Sequence, residues 1–166
     1  MENTDWSSFR LRVNVNCNEA EAYRMWATQA GLEHWFLRKA EFKDAAGNLR
    51  GRNDLLQEGD TYEWLWHGYP DSVMEKGTVT KANGKDHFVF TFSLNSPVSI
   101  SIYQEADETI VQLVESNLPT DDETRLRHFV GDSKGWIFYL TNLKSVLEGG
   151  LDLRNRKEDL ADVITA

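Results

Sequence analysis

The sequence predicts an α+β fold, a curved antiparallel sheet wrapped around a long C-terminal helix, with two short helices after the first strand. Three observations carry that expectation. Trp136, Leu140, Leu143 and Leu147 recur at spacings of four, three and four, one apolar stripe on a helix. Ahead of them, residues 38–116 break into strand-like runs separated by turn formers, the pattern of an antiparallel meander. At the start, a single alternating run gives way to two short helical patterns.

Each element has its own justification. Phe9, Leu11, Val13 and Val15 alternate with Arg10, Arg12 and Asn14, so residues 8–16 read as a half-buried strand. Asn18 stands three before Glu21 in an Asn version of the capping box. Tyr23, Trp26, Ala27 and Ala30 then follow at helical spacing, Gly31 is expected to break the helix, and Leu32, Trp35 and Phe36 fit a second one. Strands are expected at 38–44, 61–67, 74–81, 86–94, 97–104 and 108–116. Asp44 to Gly47, Glu58-Gly59-Asp60, Asn83-Gly84 and Asn95-Ser96-Pro97 punctuate them, with Asn83-Gly84 the best hairpin signal. The final helix is expected to start at a cap on Asp132 or Ser133 and to stop at Gly149-Gly150. At about 17 residues it is about 25 Å long, enough to cross about five strands spaced roughly 4.8 Å apart. The chain is expected to be one domain over 1–166, with a core at about 8–150. Residues 151–166 read as a tail that either packs on the body, docked by Leu160, Val163 and Ile164, or frays.

Composition narrows the function classes. The net charge is −9, and residues 53–166 hold ten Lys/Arg against twenty Asp/Glu. A surface that acidic opposes nucleic acid and anionic membranes, which need a basic face. No run approaches the roughly 20 apolar residues of a membrane span. The N-terminus lacks the basic start and apolar centre of a secretory signal. Cys17 is the only cysteine, which fits a reducing compartment, and the expected location is cytoplasmic.

Three motifs carry a resemblance. GLEHWF at 31–36, GDTYEWLWHG at 59–68 and GWIFYLTNLKSVLEGG at 135–150 resemble the AHSA-type branch of the START-like (SRPBCC) superfamily, related to the C-terminal domain of the heat-shock protein 90 ATPase activator. The resemblance covers roughly residues 8–150 and implies the helix-grip fold, with a cavity between sheet and long helix. Members of the superfamily bind lipids, sterols or other apolar molecules, or act as cyclases and related enzymes. The activator's ATPase stimulation resides in a separate N-terminal domain. This chain starts almost at its first strand, so that activity is not carried over.

The candidate ligand-binding residues are aromatic and aliphatic. Phe88, Phe90 and Phe92 share one strand face and Tyr62, Trp64 and Trp66 share another. With Trp35, Trp136, Tyr139, Leu140 and Leu143 they are expected to line the cavity, since pockets are mostly apolar with few polar anchors. Aromatic residues at these periods are also what a plain core uses. Glu63 and His67 fall opposite Trp64 and Trp66 and face solvent if the tryptophans point inward; Ser101 and Gln112 are weaker anchors. No catalytic residues are assigned. The histidines are scattered, no GxSxG elbow or phosphate-cradling glycine loop occurs, and no metal or cofactor is expected. Cys17, at the start of the first helix, and the acidic run Asp121, Asp122 and Glu123 read better as structure than as chemistry. The leading expectation is a non-catalytic protein holding a small lipid-like or aromatic ligand. A chaperone-associated interaction module is the first alternative. A cyclase- or hydrolase-type enzyme, which requires a buried acid or base, is the second.

Overall fold

The computed structural model describes residues 5–160, 163 and 164. Seven strands form one antiparallel sheet in the order β1-β7-β6-β5-β4-β3-β2. The strand β1 (Phe9–Val15) is followed by α1 (Glu19–Ala27) and α2 (Gln29–Trp35). The meander runs through β2 (Lys39–Lys43), β3 (Thr61–Leu65), β4 (Met74–Ala82), β5 (His87–Phe92), β6 (Ser96–Glu105) and β7 (Glu108–Glu115). β7 brings the chain back beside β1, pairing Leu11 with Leu113 and Val13 with Val111. The long helix α4 (Gly131–Leu147) lies over the sheet and buries Trp136, Tyr139, Leu140 and Leu143. This is the helix-grip arrangement.

The helix–helix corner differs from the expectation at Gly31. Thr28, not Gly31, ends α1, and its Oγ1 accepts from the Gly31 amide at 2.9 Å to cap α2. Gly31 lies inside α2 because the two helices cross there. A Cβ at that position would stand 2.2 Å from the Arg24 carbonyl oxygen and 2.6 Å from the Met25 Cα. The close approach buries Trp26 at the centre of the core. Its indole lies 4.6 Å from Trp35 and 6.1 Å from Trp136, centroid to centroid. Burial of an aromatic side chain of this size contributes roughly 2–3 kcal/mol.

Two connections also depart from the sequence reading. The hairpin between β6 and β7 turns on Ala106 and Asp107, both at positive φ (50° and 63°), the signature of a two-residue type I′ turn. Neither glycine nor asparagine marks it. The final helix does not begin at Asp132 or Ser133. Asp121 caps α3 (Asp122–Arg125), accepting from the Thr124 amide at 3.0 Å, and a π-helical turn over Leu126–Val130 carries the chain straight into α4. Asp132 is therefore released from capping and becomes a mid-helix side chain.

The tail is docked, but by polar groups. Leu160, Val163 and Ile164 are exposed. Arg154 and Asn142 do the docking instead. The fully buried Asn142 amide donates to the Trp35 carbonyl oxygen at 2.6 Å, while its Oδ1 accepts from the Leu153 amide at 2.7 Å. One α4 side chain thereby joins α2 to the tail.

Candidate functional site

The apolar side chains divide between a packed core and an open pocket. Tyr62, Trp64, Phe88 and Phe90 point to the concave side of the sheet and close around a void of about 10 Å³. Tyr62 and Trp64 stack at 3.9 Å, and the Tyr62 hydroxyl donates to the Thr91 carbonyl oxygen at 2.5 Å. Trp35, Leu140 and Leu143 are buried in the same core, with the Trp35 indole donating to the Met25 carbonyl oxygen at 2.9 Å. A ligand has no room there.

The room lies at one end of α4. A pocket of about 300 Å³ is walled by Phe36, Trp66, Phe92, Trp136 and Tyr139. Tyr69 and Val73 from the β3–β4 loop face Gly131, Asp132 and Gly135 of the helix across it. Val73 and Gly131 are exposed, so the mouth opens between loop and helix. Four of the sequence candidates (Trp66, Phe92, Trp136 and Tyr139) thus stand together at the pocket. β3 ends at Leu65, so Trp66 and His67 belong to the loop. Arg38 braces that loop, donating Nε to the Trp66 carbonyl oxygen at 3.2 Å and pairing with Asp71.

Three carboxyl groups stand around the helix end of the pocket. The Asp132 Oδ2 is buried and has no hydrogen-bond partner among the described residues; the imidazole Nδ1 of His128 is 3.6 Å away. Burial, reinforced by the charge of Glu75, pushes the Asp132 carboxyl up to about 6. Glu115, fully buried at the end of β7, accepts from Ser96 Oγ at 2.5 Å and from the Trp136 indole Nε1 at 2.9 Å. Burial pushes it up to about 7, against those hydrogen bonds and with help from the Asp132 charge. Burial and the Glu115 charge raise Glu75 as well. Sequence reasoning took Asp132 for a helix cap and passed over Glu75 and Glu115. Glu115 had a readable signal, a charged residue in phase with the inward-facing Val111 and Leu113.

The remaining candidates sit elsewhere. Glu63 faces outward and pairs with Lys76 at 3.1 Å and Lys43 at 3.8 Å. His67 is half-buried, and burial together with the charges of Arg154 and Arg156 lowers it to about 4. Ser101 meets His87 at 3.1 Å and Gln112 accepts from Tyr103 at 3.3 Å, both away from the pocket. Burial, then the charge of Glu21, raises the Cys17 thiol to about 11, so it stays protonated at neutral pH. Among the described residues no cluster of three His, Cys, Asp or Glu side chains is disposed to hold a metal ion.

Residues 16–148 match the family model described as activator of Hsp90 ATPase homolog 1-like protein. The chain belongs to this family. No curated protein matches it in sequence. Solved structures share the fold at low identity. A protein from Staphylococcus saprophyticus superposes with a TM-score of 0.68 at 14% identity, over 89% of this chain and 96% of its own. The Aha1 dimer from Colwellia psychrerythraea gives 0.64 at 17% identity, over 86% and 97%. DynU16, a protein of the dynemicin biosynthetic locus, gives 0.67 at 15% identity, over 92% of this chain and 50% of its own. The family match places the chain in the AHSA-type branch, and the structural likenesses show the START-like fold. No helix among the described residues is long and apolar enough to cross a membrane.

Proposed function

We propose that this AHSA-type protein is a non-catalytic carrier, cytoplasmic as its single cysteine suggests, that holds a small, flat, apolar ligand in the pocket at the end of α4. The observation that carries the reading is the pair Gly131 and Gly135. Glycine inside a helix costs about 1 kcal/mol relative to alanine. An added Cβ at either position would meet no atom within 4 Å, so packing does not demand the glycines. What they preserve is the pocket, whose helix side they form with Asp132. Aromatic walls opposite bare helix backbone suit a planar ligand.

Filling that space tests the proposal. Gly135→Leu is expected to abolish capture of hydrophobic probes while leaving stability equal to or up to ~1 kcal/mol above wild type. Native mass spectrometry and urea unfolding on the same preparation read both quantities. Undiminished probe binding by a folded Gly135→Leu protein would place the ligand elsewhere or nowhere. An enzymatic reading gains a buried acid in Asp132. The other lining groups offer it only the hydroxyls of Tyr69 and Tyr139, and burial pushes the Tyr139 hydroxyl up, away from service as a base.

A chaperone-associated role is the second reading, favoured by family membership and by a surface feature. Leu126, Val130 and Ile137 are 67%, 47% and 54% exposed along the outer side of the helix run. Such a strip is suited to a protein partner. Ile137→Asp is expected to weaken binding to a purified heat-shock protein 90 homologue about tenfold or more. No detectable binding of the wild-type protein at low salt would end this reading.

A further inference from the structure

We infer that the pocket selects an amphiphilic cation, its flat apolar body among Trp66, Phe92, Trp136 and Tyr139 and its protonated nitrogen at Asp132. The inference rests on the carrier reading and names the ligand class.

Among the described residues lining the pocket, Asp132 is the only charged side chain. Its carboxylate is 18% exposed, and Oδ2 lies buried without a hydrogen-bond donor. A carboxylate left without a donor costs about 1–3 kcal/mol or more, and a ligand ammonium that donates to this partly exposed carboxylate recovers that loss. The π-helical turn just before α4 places His128 one helical turn from Asp132. At 3.6 Å, with Nδ1 also 3.4 Å from Ser93 Oγ, the imidazole stops short of satisfying the carboxylate.

The surrounding field decides the sign of the ligand. The titratable groups facing Asp132 are His128 on its own helix run, Glu75 from β4 and Glu115 from β7. Glu75 and Glu115 are carboxyls, no Lys or Arg lines the pocket, and the whole chain carries −9. An anion entering here would meet like charge, with no lysine or arginine among the described lining residues to pair it. A cation would meet an unpartnered carboxylate and the faces of two indoles and a phenol, which attract positive charge through their ring quadrupoles.

Three probes sharing one ring separate charge from shape: 2-naphthylmethylammonium, 2-naphthylmethanol and 2-naphthoate. Each fills roughly half of the pocket, which leaves shape common to all. Calorimetric titration at pH 8 and low salt is expected to rank the ammonium about tenfold or more above the alcohol, a difference of about 1.4 kcal/mol, with the carboxylate weakest. Asp132→Asn is expected to shrink the ammonium-to-alcohol ratio to within about twofold of unity. An ammonium that binds no better than the alcohol overturns the charge assignment and leaves the carrier reading standing. So does a preference that survives in Asp132→Asn, since it would report only adsorption to an acidic surface. If none of the three binds at up to ~1 mM, the carrier reading falls and this inference with it.

Discussion

Replacing Arg154 with alanine is expected to lower the unfolding free energy by about 3–5 kcal/mol, the cost of breaking a buried, fully hydrogen-bonded charge cluster. The guanidinium is only 2% exposed. Nε and Nη2 fork onto both Asp152 oxygens at 2.9 and 2.8 Å. Nη1 and Nη2 also donate to the carbonyl oxygens of Glu33, His34 and Leu37 at 3.2, 2.8 and 3.0 Å. Those carbonyls lie at the end of α2, where a helix runs out of its own amide partners and where a cation meets the negative pole. Alanine strands all of them. Lysine is expected to recover less than half of the loss, because an ammonium cannot fork onto a carboxylate and also reach three carbonyls. Urea unfolding of the three proteins checks this; an alanine variant within ~1 kcal/mol of wild type would detach the tail from the folded unit.

Acid gives the same interaction a second signature. Burial would raise Asp152, yet hydrogen bonds from Arg154 and Arg156 hold it well below the aspartate value of 3.8. A carboxyl depressed in the folded state contributes stability above its unfolded pKa and loses it as pH falls through the folded one. The gap between wild type and Arg154→Ala should therefore stay level down to about pH 4 and narrow below it. The consequences reach the pocket. Asn155 packs against Gly68, where a Cβ would stand 3.2 Å from its Nδ2, so the docked tail backs the loop that carries Trp66, Tyr69 and Val73. Loss of Arg154 is expected to weaken ligand capture as well as stability.

What the sequence made legible follows from which interactions are local. Strand alternation and the α4 stripe are written in side chains a few positions apart, and the elements formed where those periods placed them, within a residue or two. Arg154 anchors carbonyls some 120 positions upstream, and a polar run such as LDLRNRKEDL carries no trace of that. The start of the long helix was hidden by the π-helical turn at Leu126–Val130. That turn inserts a residue into the helical phase, so residues 122–130 fall out of step with the stripe that begins at Trp136. Asp132 consequently looked like a cap. The division of the aromatic residues into core and pocket was also beyond periodicity. Phe90 and Phe92 share a strand face, yet Phe90 faces the closed void and Phe92 the open pocket, because α4 covers only part of that face.

Glu115→Gln is expected to stabilise the protein by as much as about 3 kcal/mol at pH 8 and to change little at pH 5. The sign follows from the raised carboxyl. Below the ordinary glutamate value of 4.5, Glu115 is neutral in both folded and unfolded chains, and its contribution to stability is complete. Between 4.5 and about 7 the unfolded chain releases the proton while the folded one keeps it, so stability falls as pH rises and the loss is complete above about 7. Asp132 and Glu75 are raised too and act in the same direction, so the variant removes only the Glu115 share of the slope. Glutamine keeps both contacts, with Oε1 accepting from the Trp136 indole and Nε2 donating to a rotated Ser96 hydroxyl. Alanine keeps neither, and Glu115→Ala is expected to be less stable by about 1–3 kcal/mol at pH 5, a deficit that shrinks or vanishes at pH 8 because alanine also removes the ionised carboxyl. A glutamine variant no more stable than wild type at pH 8 would contradict the burial cost assigned to this carboxyl. A carboxyl that costs stability at neutral pH needs another reason to be there. Its bond to the Trp136 indole supplies one, because that ring is both a core residue and a wall of the pocket. The glutamine variant should accordingly keep ligand affinity and the alanine variant lose it, a split that stability alone does not predict.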